Sequence, residues 1–207
     1  MSHLTTPRRR KLIMAATATL VPGLFLTGCS TTSSPESDSY PASTQSDDNG
    51  FLAAHDLDGL DAAQVIERLD TMPVADRPSK LIASVQPASL ILTDNQERET
   101  RLPMPKDEVY ISVAPYREQT HDCYFHSLTT CIGELANTKV QVTLTDDNGV
   151  VLVDESRQTY DNGFIGIWVP RGTTSTLTIE SEGRTGAATI STINEDDPTC
   201  ITTLQLS

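Results

Sequence analysis

The stretch KVQVTLTDDNGVVLV, residues Lys139 to Val153, decides the fold class. Val140, Val142 and Leu144 alternate with polar residues, the period of a strand with one face on a core. Asp146-Asp147-Asn148-Gly149 reads as a hairpin turn in which Gly149 supplies the positive φ, and Val150 to Val153 as the returning strand. The same punctuation continues downstream. Asp161-Asn162-Gly163 opens a strand over Phe164 to Val169, closed by Pro170-Arg171-Gly172; then come Thr176 to Ile179, a Glu182-Gly183 turn, Ala187 to Ile193 and Ile201 to Leu206. Upstream, Val109 to Ala114 is a further apolar run. Short strands at near-regular spacing with glycine-bearing turns predict an antiparallel β-sandwich over residues 106–207.

The D-x-x-G, D-N-G-F and V-P-R-G signals between Val140 and Ile179 resemble the prealbumin-like sandwich of bacterial surface and carboxypeptidase-associated domains, within the broader immunoglobulin-like architecture. Such a scaffold hosts many functions and names no chemistry. Residues 51–105 read differently. Asp61-Ala62-Ala63-Gln64 resembles a capping box, and Val65, Ile66, Leu69 and Met72 recur at helical spacing until Pro73. Leu81 to Val85 and Leu90 to Leu92, separated by Gln86-Pro87-Ala88-Ser89, predict a hairpin of two strands. The whole is mainly β with a small α+β N-terminal region. The acidic run from His55 to Asp61 fails as a calcium loop, because the loop needs an oxygen ligand at Leu60 and glycine at Asp61.

Residues 1–28 read as an address. Arg8, Arg9, Arg10 and Lys11 precede an apolar stretch of 15 residues, Leu12 to Leu26, interrupted by Pro22-Gly23. A spanning helix needs roughly 20 apolar residues, so the stretch reads as a signal peptide, exported by the Sec or the twin-arginine route. It ends in Leu26-Thr27-Gly28-Cys29, which looks like a lipobox with Cys29 as the lipidated residue. Ser30 to Gly50 holds ten Ser or Thr and one large apolar side chain, Tyr40, so residues 29–50 read as a flexible tether. The expected location is the cell envelope, with the protein lipid-anchored to the outer face of the cell membrane. Of 15 basic residues 11 lie beyond residue 28, together with all 28 acidic ones, which leaves the exported part near −17. That charge excludes nucleic acid and anionic lipid headgroups as partners, since both need a basic face, and it attracts cations.

The chemistry concentrates in His121-Asp122-Cys123-Tyr124-Phe125-His126-Ser127-Leu128-Thr129-Thr130-Cys131, which keeps neither a helical nor a strand period and reads as a loop. Three cysteines remain beside Cys29, at 123, 131 and 200. An odd number outside the cytoplasm leaves at least one free thiol. One structural disulfide with one inert thiol is the plain reading; a functional thiol is the other. Spacing does not give the pairing: Cys123 with Cys131 would close a small loop, and Cys131 with Cys200 would staple that loop to the last strand. No paired Cys-x₂₋₄-Cys knuckle of structural zinc is present. Monovalent copper accepts two or three thiolates, and divalent copper favours imidazole, so Cys123, Cys131, Cys200, His121 and His126 are the candidate metal ligands, for Cu(I) and also Cu(II). Thiolates beside Cu(II) can reduce it. Met104, between two prolines, and Trp168, in strand alternation, read as connector and core.

Ser112-Val113-Ala114-Pro115-Tyr116, Gln119-Thr120-His121-Asp122-Cys123, Cys131-Ile132-Gly133-Glu134-Leu135 and Pro198-Thr199-Cys200-Ile201-Thr202-Thr203-Leu204 closely resemble the CueP family of bacterial periplasmic copper-binding proteins, from about Leu57 to the C-terminus. The resemblance implies copper sequestration and resistance, binding through Cys123, Cys131 and Cys200, a homodimer formed through the N-terminal region, and transfer of copper to an enzyme such as a superoxide dismutase. The lipobox departs from the family's soluble members. Two other readings stand beside this one. The first is thiol-disulfide exchange, for which Cys-x₇-Cys is wide. The second is a disulfide-stapled structural surface lipoprotein.

Overall fold

The computed structural model describes residues 43–207, which fall in one unit. The signal peptide, Cys29 and the tether up to residue 42 lie outside the described residues. Helix α1 spans Ser43–Ala54, so helix begins ahead of Phe51 and takes in the end of the Ser/Thr-rich stretch read as tether. Tertiary packing overrides composition there. Phe51 and Leu52 are buried, the Arg98 guanidinium lies 5.7 Å from the Phe51 ring, and the Thr100 hydroxyl donates to Asp48. Helix α2, Ala62–Asp70, carries the predicted capping box: Gln64 N–H donates to Asp61 Oδ1 at 2.9 Å, and Asp61 N–H to Gln64 Oε1 at 3.0 Å.

Three antiparallel strands follow, β1 (Leu81–Val85), β2 (Ser89–Asp94) and β3 (Glu99–Pro103), in the order β1-β2-β3. The predicted hairpin is β1-β2; β3 extends it. The remaining strands are β4 (Glu108–Val113), β5 (Lys139–Asp146), β6 (Val151–Gln158), β7 (Ile165–Pro170), β8 (Thr174–Ser181), β9 (Arg184–Ser191) and β10 (Cys200–Ile201). They form two sheets, β10-β4-β7 and β6-β5-β8-β9. Val109, Ile111, Val113, Ile165, Ile167 and Val169 of the first pack on Val140, Val142, Leu144, Leu177, Ile179 and Ile190 of the second. This is the expected sandwich with one correction: β10 covers two residues and runs parallel to β4, with Cys200 opposite Ser112. Its remainder reaches Tyr116 through a single bridge at Gln205.

The β4-β7 sheet is the middle layer of three. Its other face meets a second core in which Val65, Ile66 and Leu69 of α2 and Leu81, Ala83, Val85, Leu90 and Leu92 of the hairpin pack around Tyr110 and the partly buried Trp168. Burial on both faces explains why β4 reads as a continuous apolar run, whereas exposed β6 shows little pattern. Met104 lies in this second core.

Between β4 and β5 runs the long Cys/His segment, and main-chain bonds stitch it to β1. Val85 N–H donates to His126 O (2.8 Å), Leu128 N–H donates to Ala83 O (2.9 Å), and Leu128 is fully buried in the second core. Truncation of a buried leucine costs about 2–5 kcal/mol. Leu128→Ala is therefore expected to lower stability by that amount in urea unfolding and to raise amide exchange from Cys123 to Cys131 before global unfolding. Protection in that segment equal to the parent's would show that Leu128 does not hold it.

Candidate metal centre

Two separate chain segments bring the candidate ligands together. His121, Cys123, His126 and Cys131 come from the β4-β5 loop, and Cys200 from β10. Thr199 and Cys200 N–H both donate to Tyr124 O, at 3.0 and 3.1 Å, which fixes the loop on β10. Cys123 and Cys200 form a disulfide with Cα atoms 5.7 Å apart; Cys131 is free. This pairing is neither Cys123 with Cys131 nor Cys131 with Cys200, because the long turn lays Cys123 across β10. Cys131 Sγ lies 3.6 Å from Cys123 Sγ and accepts from Ser127 N–H at 3.4 Å. The ligand atoms fall into two trios, each mutually within 4.8 Å: His121, Cys123 and Cys131, all half-buried, and His126, Cys131 and Cys200, of which His126 and Cys200 are buried.

His126 is fixed from all sides. Its N–H donates to Thr199 Oγ1 (3.1 Å), whose hydroxyl donates to Val85 O (2.6 Å). Its ring packs on Phe164 at 4.5 Å, and Nε2 meets Asp70 Oδ1 at 3.1 Å. A carboxylate accepts, so Nε2 carries a proton, and Nδ1 faces Cys200 Sγ, 3.9 Å away. Asp70 is fully buried at the end of α2 and also accepts from Tyr110 hydroxyl (2.8 Å) and Asn162 Nδ2 (3.0 Å), with the Arg77 guanidinium at 3.9 Å. Gly166 leaves the room that the Tyr110 ring needs to reach it. Asp70 is the functional residue the sequence reading missed. A signal was present, since position 70 follows Ile66 by four and sets a carboxylate on the helix's apolar face.

The electrostatics follow from this packing. Burial works to raise the Asp70 carboxyl, but the hydrogen bond and charge of His126, with those from Tyr110 and Asn162, hold it below its ordinary value. Burial disfavours charge on His126, yet its bonds and attraction to Asp70 and Cys131 raise it. Burial likewise opposes a Cys131 thiolate, and His126, Ser127 N–H and Arg77 outweigh it, so the thiol is lowered. Arg77 also donates to Cys131 O at 3.0 Å. His121 also packs edge-on to Phe164, ring centroids 6.2 Å apart, and its Nε2 has no hydrogen-bond partner among the described residues. Glu134 Oε2 accepts the N–H groups of Arg117, Glu118 and Gln119 at 2.7, 3.0 and 3.2 Å and ties the strand exit to the chain after Cys131. Gly133 and Gly163 touch backbone to backbone there; a Cβ on Gly163, whose φ is +79°, would stand 2.6 Å from Gly133 O.

Sulfurs and imidazoles in two trios, with His126 and Cys200 buried, are donors of the kind a soft metal ion takes. The sequence profile of periplasmic copper-binding protein CueP matches residues 64–205. The crystal structure of S.CueP superimposes with a TM-score of 0.71 at 38% identity, covering 77% of this chain and 96% of that one. A search of the curated proteins returned no match. The chain belongs to the CueP family of periplasmic copper-binding proteins. Among the described residues no helix is long and apolar enough to cross a membrane.

The Asp70–His126 pair sets a pH window. Asp70, lowered when folded, contributes stability that is present above its ordinary 3.8 and lost as pH falls through its depressed value. His126, raised when folded, contributes stability that is present below its ordinary 6.5 and lost as pH rises through its elevated value. Breaking such a buried pair costs about 3–5 kcal/mol. Asp70→Asn is expected to lose that stability near pH 5, to flatten both limbs of the urea-midpoint profile, and to lower the pH at which the His126 ring titrates by NMR. An unchanged His126 titration would remove Asp70 from its role.

Proposed function

We propose that the protein captures copper in the cell envelope through Cys123, Cys131 and Cys200, assisted by His121 and His126. The convergence of the three sulfurs carries this reading. A metal–thiolate bond of about 2.3 Å sets the sulfurs of a trigonal site about 4 Å apart, and Cys123 and Cys131 stand at 3.6 Å. Once an external thiol reductant has opened the Cys123–Cys200 disulfide, itself leaving as a disulfide, the other two sulfurs are free to ligate, and thiolates suit Cu(I). The reduced protein also reduces Cu(II). Cys123 and Cys200 each give one electron to one Cu(II), two Cu(I) form, the disulfide closes, and the two thiol protons leave to water. Cys131 and the imidazoles then keep a ligand set. Cys29 anchors the domain to the membrane by lipid, the N-terminal region forms a homodimer, and the copper passes to an extracytoplasmic enzyme such as a superoxide dismutase.

The free Cys131 beside a disulfide also brings thiol-disulfide exchange into view, and geometry argues against it. A nucleophile in line with the bond at 3.6 Å from Cys123 Sγ would stand about 5.6 Å from Cys200 Sγ, yet those atoms are within 4.8 Å. The thiol lies beside the bond.

Anaerobic titration of the reduced domain with Cu(I), in competition with a chromophoric chelator, tests the reading. The parent is expected to take up Cu(I), and the Cys123→Ser, Cys131→Ser, Cys200→Ser triple variant to bind at least about 100-fold more weakly, which is about 2.8 kcal/mol. Equal binding by the triple variant would overturn the assignment. Insulin reduction by the metal-free protein at the rate of a dedicated oxidoreductase would favour exchange.

A further inference from the structure

The two imidazoles belong to different trios, and the trios share one atom. His121, Cys123 and Cys131 are each half-exposed. His126 and Cys200 are 0% and 3% exposed, and only Cys131 joins them from the half-exposed set. Phe164, fully buried, packs against both imidazole rings. Of the outer trio, His121 lines a groove of about 290 Å³, together with Gln119, Ile132 and Glu134.

The two imidazoles are also held differently. His126 is locked by Asp70, Thr199 and Phe164, with Nδ1 preset for bonding. His121 Nε2 has no hydrogen-bond partner, so its ring gives up no such bond when it turns to an ion. An adaptable ligand at the mouth and a rigid one inside are what stepwise capture requires, since an arriving ion sheds its water one ligand at a time.

We propose that copper occupies two seats in succession, an outer seat on His121, Cys123 and Cys131 reached from the groove, and an inner seat on His126, Cys131 and Cys200. This rests on the reading that the reduced cluster binds copper. Cys131 holds the ion throughout while His126 replaces His121 and Cys200 replaces Cys123, so the ion is never free. No electron moves in the transfer. The inner seat excludes water, which favours the less strongly hydrated monovalent ion over the divalent one. The outer seat therefore sets the rate of capture and the inner seat its tightness.

Stopped-flow transfer of Cu(I) from a chromophoric chelator to the reduced, anaerobic domain separates the seats. His121→Ala and Cys123→Ser are expected to load about tenfold more slowly and to reach an affinity within about threefold of the parent. His126→Asn and Cys200→Ser are expected to load at the parental rate, to bind at least about tenfold more weakly and to release Cu(I) faster. Cys200→Ser carries the inner-seat test if His126→Asn does not fold. Parental loading by His121→Ala, or equal losses of affinity from both pairs, would overturn the two-seat scheme while the copper-binding reading stands. Parental binding by the triple serine variant would overturn both.

Discussion

A buried carboxylate needs partners, and Asp70 draws its partners from four parts of the chain. Tyr110 reaches it from the middle sheet, Asn162 from the turn before β7, His126 from the Cys/His loop, and Arg77 from beyond the helix. An unpaired charge at that depth would be prohibitively costly, so α2, the sheet and the loop fit together only in an arrangement that brings all four to it. One consequence is that the His126 ring is set with its free nitrogen toward the sulfurs. The cluster is thus organised from behind, through His126, by a carboxylate that belongs to neither ligand trio.

The sandwich contributes the other constraint. Cys200 lies on a two-residue parallel strand against Ser112, and the long turn between β4 and β5 is bound both to that strand and to β1. Cysteines 77 residues apart in sequence therefore meet, and the disulfide marks how closely. The same closeness that lets Cys123 and Cys200 bond when oxidised supports the proposal that they serve one ion when reduced. The Cys131 thiol is lowered in a place where burial alone would oppose its charged form.

Much of this was legible in the sequence. The alternation of Val140, Val142 and Leu144, the Asp146–Gly149 turn, the capping box at Asp61 and Gln64 and the β1-β2 hairpin each carry a local physical signal, and each forms. What stayed hidden lacked such a signal. In β3, Glu99 and Arg101 pair on the surface and mask Thr100, which is buried. Most of β6 is exposed and polar, so its length did not show. Helix α1 forms over residues whose composition favours disorder because Phe51 and Leu52 find a core. The Cys/His loop and the likeness of its residues to the CueP family pointed to the site, but the disulfide partner and the role of Asp70 depend on tertiary contacts that no spacing encodes.

The central claim is that sulfur atoms from positions far apart in the chain bind one copper ion in common. X-ray absorption at the copper edge, on the reduced domain loaded with one equivalent of Cu(I), measures this directly. The account predicts sulfur neighbours at about 2.3 Å as the main scatterers, reduced in number by Cys131→Ser. A spectrum with nitrogen and oxygen neighbours alone would contradict it.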